Sequence, residues 1–319
     1  MLPVIQFAPV RGVTTPWFYS IFSNNFDGIS HAITPFVPLG NPEKQAKRIR
    51  NDAKAISSCR FAIVPQLLAQ SSSEFIQTAL FFKEAGYGTI NWNLGCPYPT
   101  VTNRGRGAGL LPFPEKIVSI LKDVTDALQI NISIKTRLGL TTADDLGRLL
   151  PLLCELPLDE IIIHGRTARQ MYEGDQHWEA LDACVQKSPH PVVLNGDITS
   201  VDSFLHMCQR YPGISRFMIG RGLLRDPYLA ARISGLPVPA GAERQKQLHQ
   251  FHNAVFLHYR NTLSGTAHRL QKMKEYWVYF ASWFEEDAKV FKQIKKIRTE
   301  SDYDALVAQL FENAALSNE

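Results

Sequence analysis

Eight short apolar segments recur along the first three quarters of the chain, and most are followed by a stretch with helical spacing. The segments are continuously apolar rather than alternating, which is typical of parallel strands that are buried on both faces. Eight such units in about 235 residues predict an α/β fold of the (β/α)8, or TIM barrel, type rather than a doubly wound sheet. The predicted strands span residues 4–8, 28–32, 61–67, 89–93, 132–135, 160–164, 192–195 and 216–219. The predicted helices of this region span residues 72–85, 114–128, 143–153, 178–186, 201–209 and 225–234.

A second region follows these repeating units. The run 235–242 is rich in proline and glycine, which marks a boundary, and no strand pattern recurs after it. Helices are predicted at 245–262, 267–284, 288–298 and 303–313, and they indicate a small α-helical bundle. We therefore expect a barrel domain over residues 1–240 and a helical domain over residues 241–319. Side chains at helical spacing are expected in the core of the bundle: Phe251, Val255, Leu257, Tyr276, Trp277, Tyr279 and Phe280.

Composition excludes several classes of protein. A chain with 45% hydrophobic and 20% charged residues is typical of a globular protein rather than a disordered one. None of the five cysteines is spaced as CxxC, so neither a metal site nor a disulfide framework is expected, and Cys154 and Cys184 fit buried helix faces. No apolar run approaches the roughly 18 residues of a membrane helix, and the first residues lack the basic region of a signal peptide. These observations predict a cytoplasmic enzyme with no membrane partner.

Polar side chains accumulate where the predicted strands end. Active sites of this fold lie at the carboxyl ends of the strands. The cationic side chains among them indicate an anionic ligand, and the glycines near the last two strands would let backbone N–H groups approach a phosphate that Arg221 can bind. The residues at these positions are Gln66, Asn93, Cys96, Lys135, Arg137, His164, Arg166, Asn195, Gly196, Asp197, Gly220 and Arg221.

Cys96 stands apart from the other cysteines because of its context. It lies in the segment Asn93-Leu-Gly-Cys-Pro, where Gly95 and Pro97 indicate a constrained loop that presents the thiol. A thiol in such a loop can act as a nucleophile or as a general acid, and the residues alone do not choose between the two.

The ordered set of motifs resembles the tRNA-dihydrouridine synthases, which are flavin-dependent barrel enzymes that reduce uridine in tRNA. The helical region is most similar to that of the bacterial C subgroup, around residues 268–277 and Lys295. The matching segments are APVRGVT (8–14), QL (66–67), NLGCP (93–97), GRGAGLL (105–111), IKTRLG (134–139), HGRT (164–167), NGD (195–197) and IGRG (219–222).

This resemblance implies FMN as the prosthetic group, NADPH as the reductant and a D-loop uridine of tRNA, at position 16, as the substrate. It implies that Cys96 is the catalytic proton donor to C5 of the uracil, while flavin N5 supplies hydride to C6. The substrate-binding residues that the resemblance implies are Asn93, Arg137, Arg166 and Tyr172. The cofactor-binding residues that it implies are Pro9, Val10, Arg11, Gln66, Lys135, His164, Asn195, Gly196, Asp197, Gly220 and Arg221.

Basic residues are clustered, although the whole chain carries a formal charge of only +4. Residues 269–298 carry the same excess by themselves, a second basic cluster lies within 44–60, and Arg104 and Arg106 flank the Cys96 segment. A lysine run can be simply a solvated face, but two clusters beside a flavin-binding mouth indicate an RNA-binding groove. Lys272, Lys274 and Lys295 are therefore candidate tRNA contacts, in a protein expected to act as a monomer.

The chain departs from the family pattern at several positions. Val10 stands where methionine is usual, Arg11 and Thr15 replace a small or acidic residue and an aspartate, and Asn91 replaces an aspartate. Two other functions remain open. One is an FMN barrel that reduces a small molecule of the dihydroorotate or enoate type, which has no need of a basic helical region. The other is a noncatalytic RNA-binding barrel, which the retained Cys96, Lys135 and His164 disfavour.

Overall fold

A computed structural model describes residues 2–37 and 41–317 and shows a parallel barrel followed by helices. The sheet order is β3-β2-β1-β9-β8-β7-β6-β5-β4. Its two ends, β3 and β4, are consecutive pieces of the chain separated only by Pro65, so the barrel is nearly closed. The strands are β1 (Val4–Phe7), β2 (His31–Ile33), β3 (Ala62–Val64), β4 (Gln66–Leu67), β5 (Thr89–Leu94), β6 (Asn131–Gly139), β7 (Leu158–Thr167), β8 (Val192–Asn195) and β9 (Arg216–Ile219).

The predicted TIM barrel is confirmed, with three differences in its strands. The strand predicted at 61–67 is divided because Pro65 has no N–H to donate to the sheet. The second strand begins at His31 rather than at Gly28, because Gly28 has a φ of +90° and its α-hydrogen faces the backbone of Ala230. Strands β6 and β7 extend beyond the predicted ends, so Arg137 and Arg166 lie inside strands.

Helices surround the barrel, and proline explains where the predicted ones are interrupted. The segment predicted at 143–153 becomes α6 and a 3₁₀ helix around Pro151. The segment predicted at 225–234 is divided before Pro227, because the residue before proline disfavours helical geometry. The helices are α1 (Pro16–Asn25), α2 (Pro42–Ala55), α3 (Ser72–Glu84), α4 (Pro99–Thr102), α5 (Pro114–Ala127), α6 (Asp145–Leu149), α7 (Trp178–Lys187), α8 (Val201–Arg210), α9 (Arg221–Arg225) and α10 (Leu229–Ile233). The 3₁₀ helices of this region are Gly107–Leu110 and Leu150–Leu153.

Four further helices form the C-terminal region, and the first of them, α11, packs against α1. Phe251 contacts the rings of Phe18, Phe22 and Phe26, so the aromatic core of the helices continues into the barrel. The expectation of a buried Leu257 was wrong, since this side chain is 56% exposed. The helices are α11 (Gly241–Thr262), α12 (Thr266–Phe280), α13 (Asp287–Lys296) and α14 (Glu300–Asn313), with a 3₁₀ helix at Ala281–Trp283.

The boundary between the two regions lies in residues 236–240, which form neither helix nor strand. Because one hydrophobic core spans both regions, the division into domains 1–240 and 241–319 stays a prediction. Cys184 is buried as expected, whereas Cys154 is exposed at the end of its 3₁₀ helix. Among the described helices, none combines the length and the apolar character needed to cross a membrane.

Candidate active site

A cavity of about 400 Å³ opens at the carboxyl ends of the strands. Its volume lies in the range of small-molecule and cofactor sites. It brings together most of the residues chosen from the sequence, whereas Arg166 and the three lysines of the helical region are not among its lining residues. The chosen residues that line it are Pro9, Val10, Arg11, Gln66, Asn93, Cys96, Lys135, Arg137, His164, Tyr172, Asn195, Gly196, Asp197, Gly220 and Arg221.

A network of amide side chains forms one wall of the cavity. Gln66 donates to Asn91 Oδ1 and accepts from Asn93 Nδ2, both at 2.7 Å. Asn91 in turn donates to Ser133 Oγ at 2.8 Å, which an aspartate at this position could not do. The departure from the family pattern at Asn91 therefore still gives a network in which each amide is held by its neighbours.

The Cys96 loop is fixed by side-chain and backbone contacts. Asn93 Oδ1 accepts from the backbone N–H groups of Gly95 at 3.1 Å and Cys96 at 2.8 Å. Gly107, with φ of +56°, packs so closely that a Cβ there would lie 2.9 Å from the Cys96 Cβ. The backbone N–H of Ala108 donates to the Cys96 carbonyl at 3.2 Å. The loop and the glycine-rich segment behind it thus hold the thiol at one place in the cavity.

Burial raises the pKa of the Cys96 thiol, although the backbone amide of Tyr98 and the cations Arg11, Arg137 and Lys135 oppose this shift. The thiol therefore keeps its proton at neutral pH. A protonated thiol can donate a proton, whereas a nucleophile must be a thiolate. The electrostatic environment favours the general acid over the nucleophile, a choice that the residues alone left open.

The cations of the cavity differ in the charge that they offer to a ligand. Burial lowers the pKa of Lys135 to about 7 and that of Arg137 to about 10. Arg137 donates to the carbonyls of Gly95 and Thr167 and lies 5.2 Å from the Tyr172 ring centroid. Burial, followed by the neighbouring cations, lowers the pKa of His164 well below its ordinary value. His164 is therefore a neutral hydrogen-bonding group, while Lys135 can gain a proton when an anion binds.

Arg166, which the sequence resemblance implies as a substrate-binding residue, does not line the cavity. Its guanidinium binds both carboxylate oxygens of Asp197, at 2.9 and 2.6 Å, and donates to the Gly174 carbonyl. The side chain of Arg166 is buried behind the cavity wall. Asp197 has a φ of +53°, which this ion pair helps to hold. In this arrangement Arg166 shapes the loop after β8 and stabilises Asp197.

Glycines and an arginine line the cavity beside β8 and β9. Gly196 has a φ of +132°, and a Cβ there would lie 2.9 Å from His164 Cδ2. Gly220 faces the cavity, where a Cβ would lie 3.3 Å from the Ala8 Cβ. The Arg221 guanidinium stacks on Tyr172 at 4.9 Å and has no carboxylate within ion-pair distance among the described residues. This wall can accept an anionic group.

The cavity also contains residues that the sequence analysis missed. Tyr98 follows Cys96 by two residues, and its place in the motif could have indicated it. Tyr279 was expected in the core of the helical region, like Tyr276 and Trp277, which are fully buried. Tyr279 instead reaches the cavity from α12, and no local pattern distinguishes it from its buried neighbours. The C-terminal helices therefore contribute a side chain directly to the mouth.

The three candidate lysines of the helical region lie in different environments. Lys272 pairs with Glu275 at 2.8 Å, and Glu275 lies beside Gly12 near the mouth. Lys274 donates to the carbonyls of Lys295 and Ile297 at the end of α13. Lys295 is exposed, with its ammonium 5.3 Å from the Phe291 ring centroid. Lys295 is therefore accessible, Lys272 is half-buried in its ion pair, and Lys274 connects α12 to α13.

Comparison with known proteins places the chain in a family. The family model described as dihydrouridine synthase (Dus) matches residues 6–316. The chain belongs to the dihydrouridine synthase family. A curated member from Haemophilus ducreyi, named tRNA-dihydrouridine(16) synthase, is 27% identical over 326 residues, which cover 100% of this chain and 97% of that protein. The Vibrio vulnificus tRNA-dihydrouridine synthase B is 30% identical over 231 residues, covering 71% of this chain and 69% of that protein.

Solved structures agree with the barrel of this dihydrouridine synthase family member. The old yellow enzyme from Trypanosoma cruzi matches with a TM-score of 0.54 at 10% identity, covering 76% of this chain and 91% of that one. Morphinone reductase matches with a TM-score of 0.53 at 11% identity, covering 75% and 87%. At these identities the likeness concerns the fold alone.

Proposed function

We propose that this protein is an FMN-dependent tRNA-dihydrouridine synthase that reduces the C5–C6 bond of a D-loop uridine with NADPH as reductant. The observation that carries the proposal is the position of the Cys96 thiol, whose loop is fixed by Asn93 at the mouth of a cavity that is also lined by Lys135 and Arg137. Membership of the dihydrouridine synthase family supports the substrate.

The residues of the cavity fit FMN. Lys135 is half-buried in the cavity with no hydrogen-bond partner among the described residues, and an anionic edge of a flavin ring would supply one. Gln66 also lines the cavity, through the amide network that it forms with Asn91 and Asn93. The glycine wall at Gly196 and Gly220, with Arg221 at its edge, accepts a phosphate because no Cβ blocks the backbone. Lys135 would thus bind the ring of FMN, and the glycine wall with Arg221 would bind its phosphate.

The proposed chemistry needs one proton from this chain. Bound in the cavity, reduced FMN supplies the hydride that C6 of the uracil accepts. Cys96 Sγ holds a proton and delivers it to C5, so that the C5–C6 bond gains two hydrogens. Asn93 acts through its side-chain oxygen, which holds the backbone N–H groups of Gly95 and Cys96 and so positions the sulfur.

The target uridine must leave its place in the folded RNA to enter the mouth, as bases do in other enzymes that modify nucleic acids. Tyrosines and arginines surround that mouth: Arg11 lies over Tyr98, and Arg137 and Arg221 lie on Tyr172. Aromatic rings and guanidinium planes are the groups on which unstacked bases pack. The mouth is therefore suited to an extruded nucleotide.

We assign the target to position 16 on the basis of the relative that aligns along the whole chain, whose name specifies that position. The alignment with the B-type relative covers 71% of this chain. The proposal includes a cytoplasmic location and a monomeric enzyme. Sedimentation of the flavin-loaded protein at the mass of one chain is the expected result.

The two half-reactions test the proposal separately. The purified protein should carry flavin absorbance that NADPH bleaches, and unmodified tRNA should restore the absorbance under anaerobic conditions. A small enone should restore it far more slowly. Protein that cannot be loaded with FMN contradicts the cofactor assignment. If small enones reoxidise the flavin and tRNA does not, the substrate assignment is contradicted.

A further inference from the structure

Arg11 occupies an unusual place at the rim of the cavity. It follows β1 and is exposed, and its guanidinium carbon lies 5.1 Å from the ring centroid of Tyr98. Tyr98 is half-buried and belongs to the Cys96 loop, which follows β5. The contact therefore joins two loops from separate parts of the barrel and crosses the mouth beside the thiol.

Arg11 has no partner for its charge within the described part of the chain. Among the described residues, no hydrogen-bond acceptor or carboxylate lies within bonding distance of its guanidinium. The Glu275 carboxylate, which lies beside Gly12, is bound by Lys272 at 2.8 Å. The arginines that form ion pairs in the described chain are Arg48, Arg60, Arg106, Arg148, Arg166, Arg210, Arg216, Arg232, Arg260 and Arg269.

The stacking contact orients the guanidinium without using its hydrogen-bond donors. A cation over an aromatic face is held by the ring, while the N–H groups at the guanidinium edge remain free. A planar guanidinium that is fixed in this way matches two oxygens of a phosphate. Arg11 is thus a preorganised phosphate donor at the entrance, separate from Arg221, which stacks on Tyr172.

We propose that Arg11, oriented by Tyr98, binds the phosphodiester of the RNA nucleotide that enters the mouth beside Cys96. This inference rests on the proposed function and names a residue that would determine RNA recognition. RNA is favoured over the phosphates of the reductant because Arg11 lies at the exposed rim, in the same region as Lys272 and Tyr279 of the C-terminal helices.

Binding of unmodified tRNA to the flavin-loaded, oxidised enzyme tests the proposal without turnover. We expect Arg11→Gln to weaken tRNA binding about tenfold, as for the loss of a charged hydrogen-bonding contact. The slope of log K against log salt should become shallower by about 0.7 to 0.9, which is the contribution of one phosphate contact. Arg11→Lys should keep the slope and lose part of the affinity, since a lysine keeps the charge but not the fork of donors.

A matched control and a double-mutant cycle separate this contact from other effects. Lys122→Gln removes the same charge from an exposed position on α5 and should leave the tRNA affinity and the salt slope unchanged. Tyr98→Leu should weaken binding, whereas Tyr98→Phe keeps the ring and should not. Because both residues serve one contact, Arg11→Gln combined with Tyr98→Leu should cost less than the product of the two single effects.

Each contrary outcome has a distinct meaning. An unchanged salt slope in Arg11→Gln overturns the phosphate contact. Loss of FMN from this variant overturns it too, because Arg11 would then belong to the cofactor site. A slower bleaching by NADPH with unchanged tRNA binding assigns Arg11 to the reductant and overturns the RNA assignment. If the wild-type enzyme binds FMN but is not reoxidised by tRNA, the proposed function fails, and this is observed without any Arg11 variant.

Discussion

At the scale of single residues, the proposed chemistry depends on a thiol that is kept protonated. The cations around Cys96 act to lower its pKa, yet burial outweighs them and raises it. Burial also neutralises His164 and brings the pKa of Lys135 to about 7. The polar groups of the cavity therefore carry less charge before a ligand binds than their residue types suggest.

Replacement of the proposed acid should separate flavin chemistry from RNA reduction. We expect Cys96→Ala to retain FMN and to be bleached by NADPH, while its rate of tRNA reduction falls by about 10² to 10⁴, which is the usual contribution of a general acid. Single-turnover reoxidation by tRNA measures this rate. Cys154→Ala, at an exposed position outside the cavity, is the control and should behave as the wild type. Equal rates in both variants would exclude Cys96 as the acid.

At the scale of elements, the Cys96 loop depends on the glycine-rich segment 105–111 that lies behind it. Arg106 pairs with Glu74 at 2.7 Å, and Glu74 also accepts from the backbone N–H of Gln70 at 3.0 Å. This ion pair joins the glycine-rich segment to the first turn of α3. Since Gly107 packs directly on Cys96, the pair supports the thiol from behind.

Loss of the Arg106–Glu74 ion pair should make the Cys96 loop more mobile without removing the cofactor. We expect Arg106→Ala to increase the rate at which iodoacetamide alkylates Cys96 several-fold, because the loop opens more often. Peptide mass spectrometry after timed alkylation gives the rate at this cysteine. Arg148→Ala breaks an ion pair with Asp145 on α6 and is the matched control. An Arg106→Ala protein alkylated no faster than this control would show that the pair does not restrain the loop.

Much of the fold and site was predictable at this scale, and the exceptions have physical reasons. The continuous apolar runs predicted the strands, and glycine and cysteine motifs predicted the loops at their ends. The break at Pro65 was readable from its missing N–H, but its effect on barrel closure depends on pairing with both β2 and β5. The Arg166–Asp197 pair and the place of Tyr279 depend on tertiary contacts between distant segments, which no local pattern encodes.

At the scale of the whole molecule, the helical region supports the barrel mouth as well as adding charge. Tyr276 of α12 donates from its hydroxyl to the Val13 carbonyl at 2.8 Å, just after the segment that carries Pro9 and Arg11. Trp17 of α1 stacks on His258 of α11 with centroids 3.7 Å apart. The position of the proposed flavin loop is therefore coupled to the packing of the C-terminal helices.

A buried histidine should make this packing sensitive to acid. Burial lowers the pKa of His252 from 6.5 to about 4, and its ring hydrogen-bonds to Tyr303 at 2.7 Å. In the unfolded chain His252 gains a proton as pH falls below about 6.5, whereas in the folded chain it stays neutral down to about pH 4. The neutral, buried ring therefore contributes fully to stability above pH 6.5, and this contribution is lost as pH falls toward 4. The shift corresponds to about 3 kcal/mol.

Urea unfolding at pH 7 and at pH 4.5 measures this effect. The wild type should lose stability between the two conditions, and His252→Gln should lose less because it has no ring to protonate. His206→Gln, on the barrel helix α8, is the control and should follow the wild type. Equal pH dependence in His252→Gln and in the wild type would assign the acid sensitivity to other groups.

The central claim is that this chain reduces a tRNA uridine with Cys96 as the acid, and nucleotide mapping tests it most directly. Unmodified tRNA is incubated with the FMN-loaded enzyme and NADPH, and fragments are analysed by mass spectrometry. The account predicts a gain of two hydrogens at uridine 16 with the wild type and with Cys154→Ala, and at most a trace in the same time with Cys96→Ala. Unchanged tRNA after incubation with flavin-loaded, NADPH-reducible wild-type enzyme would contradict the account.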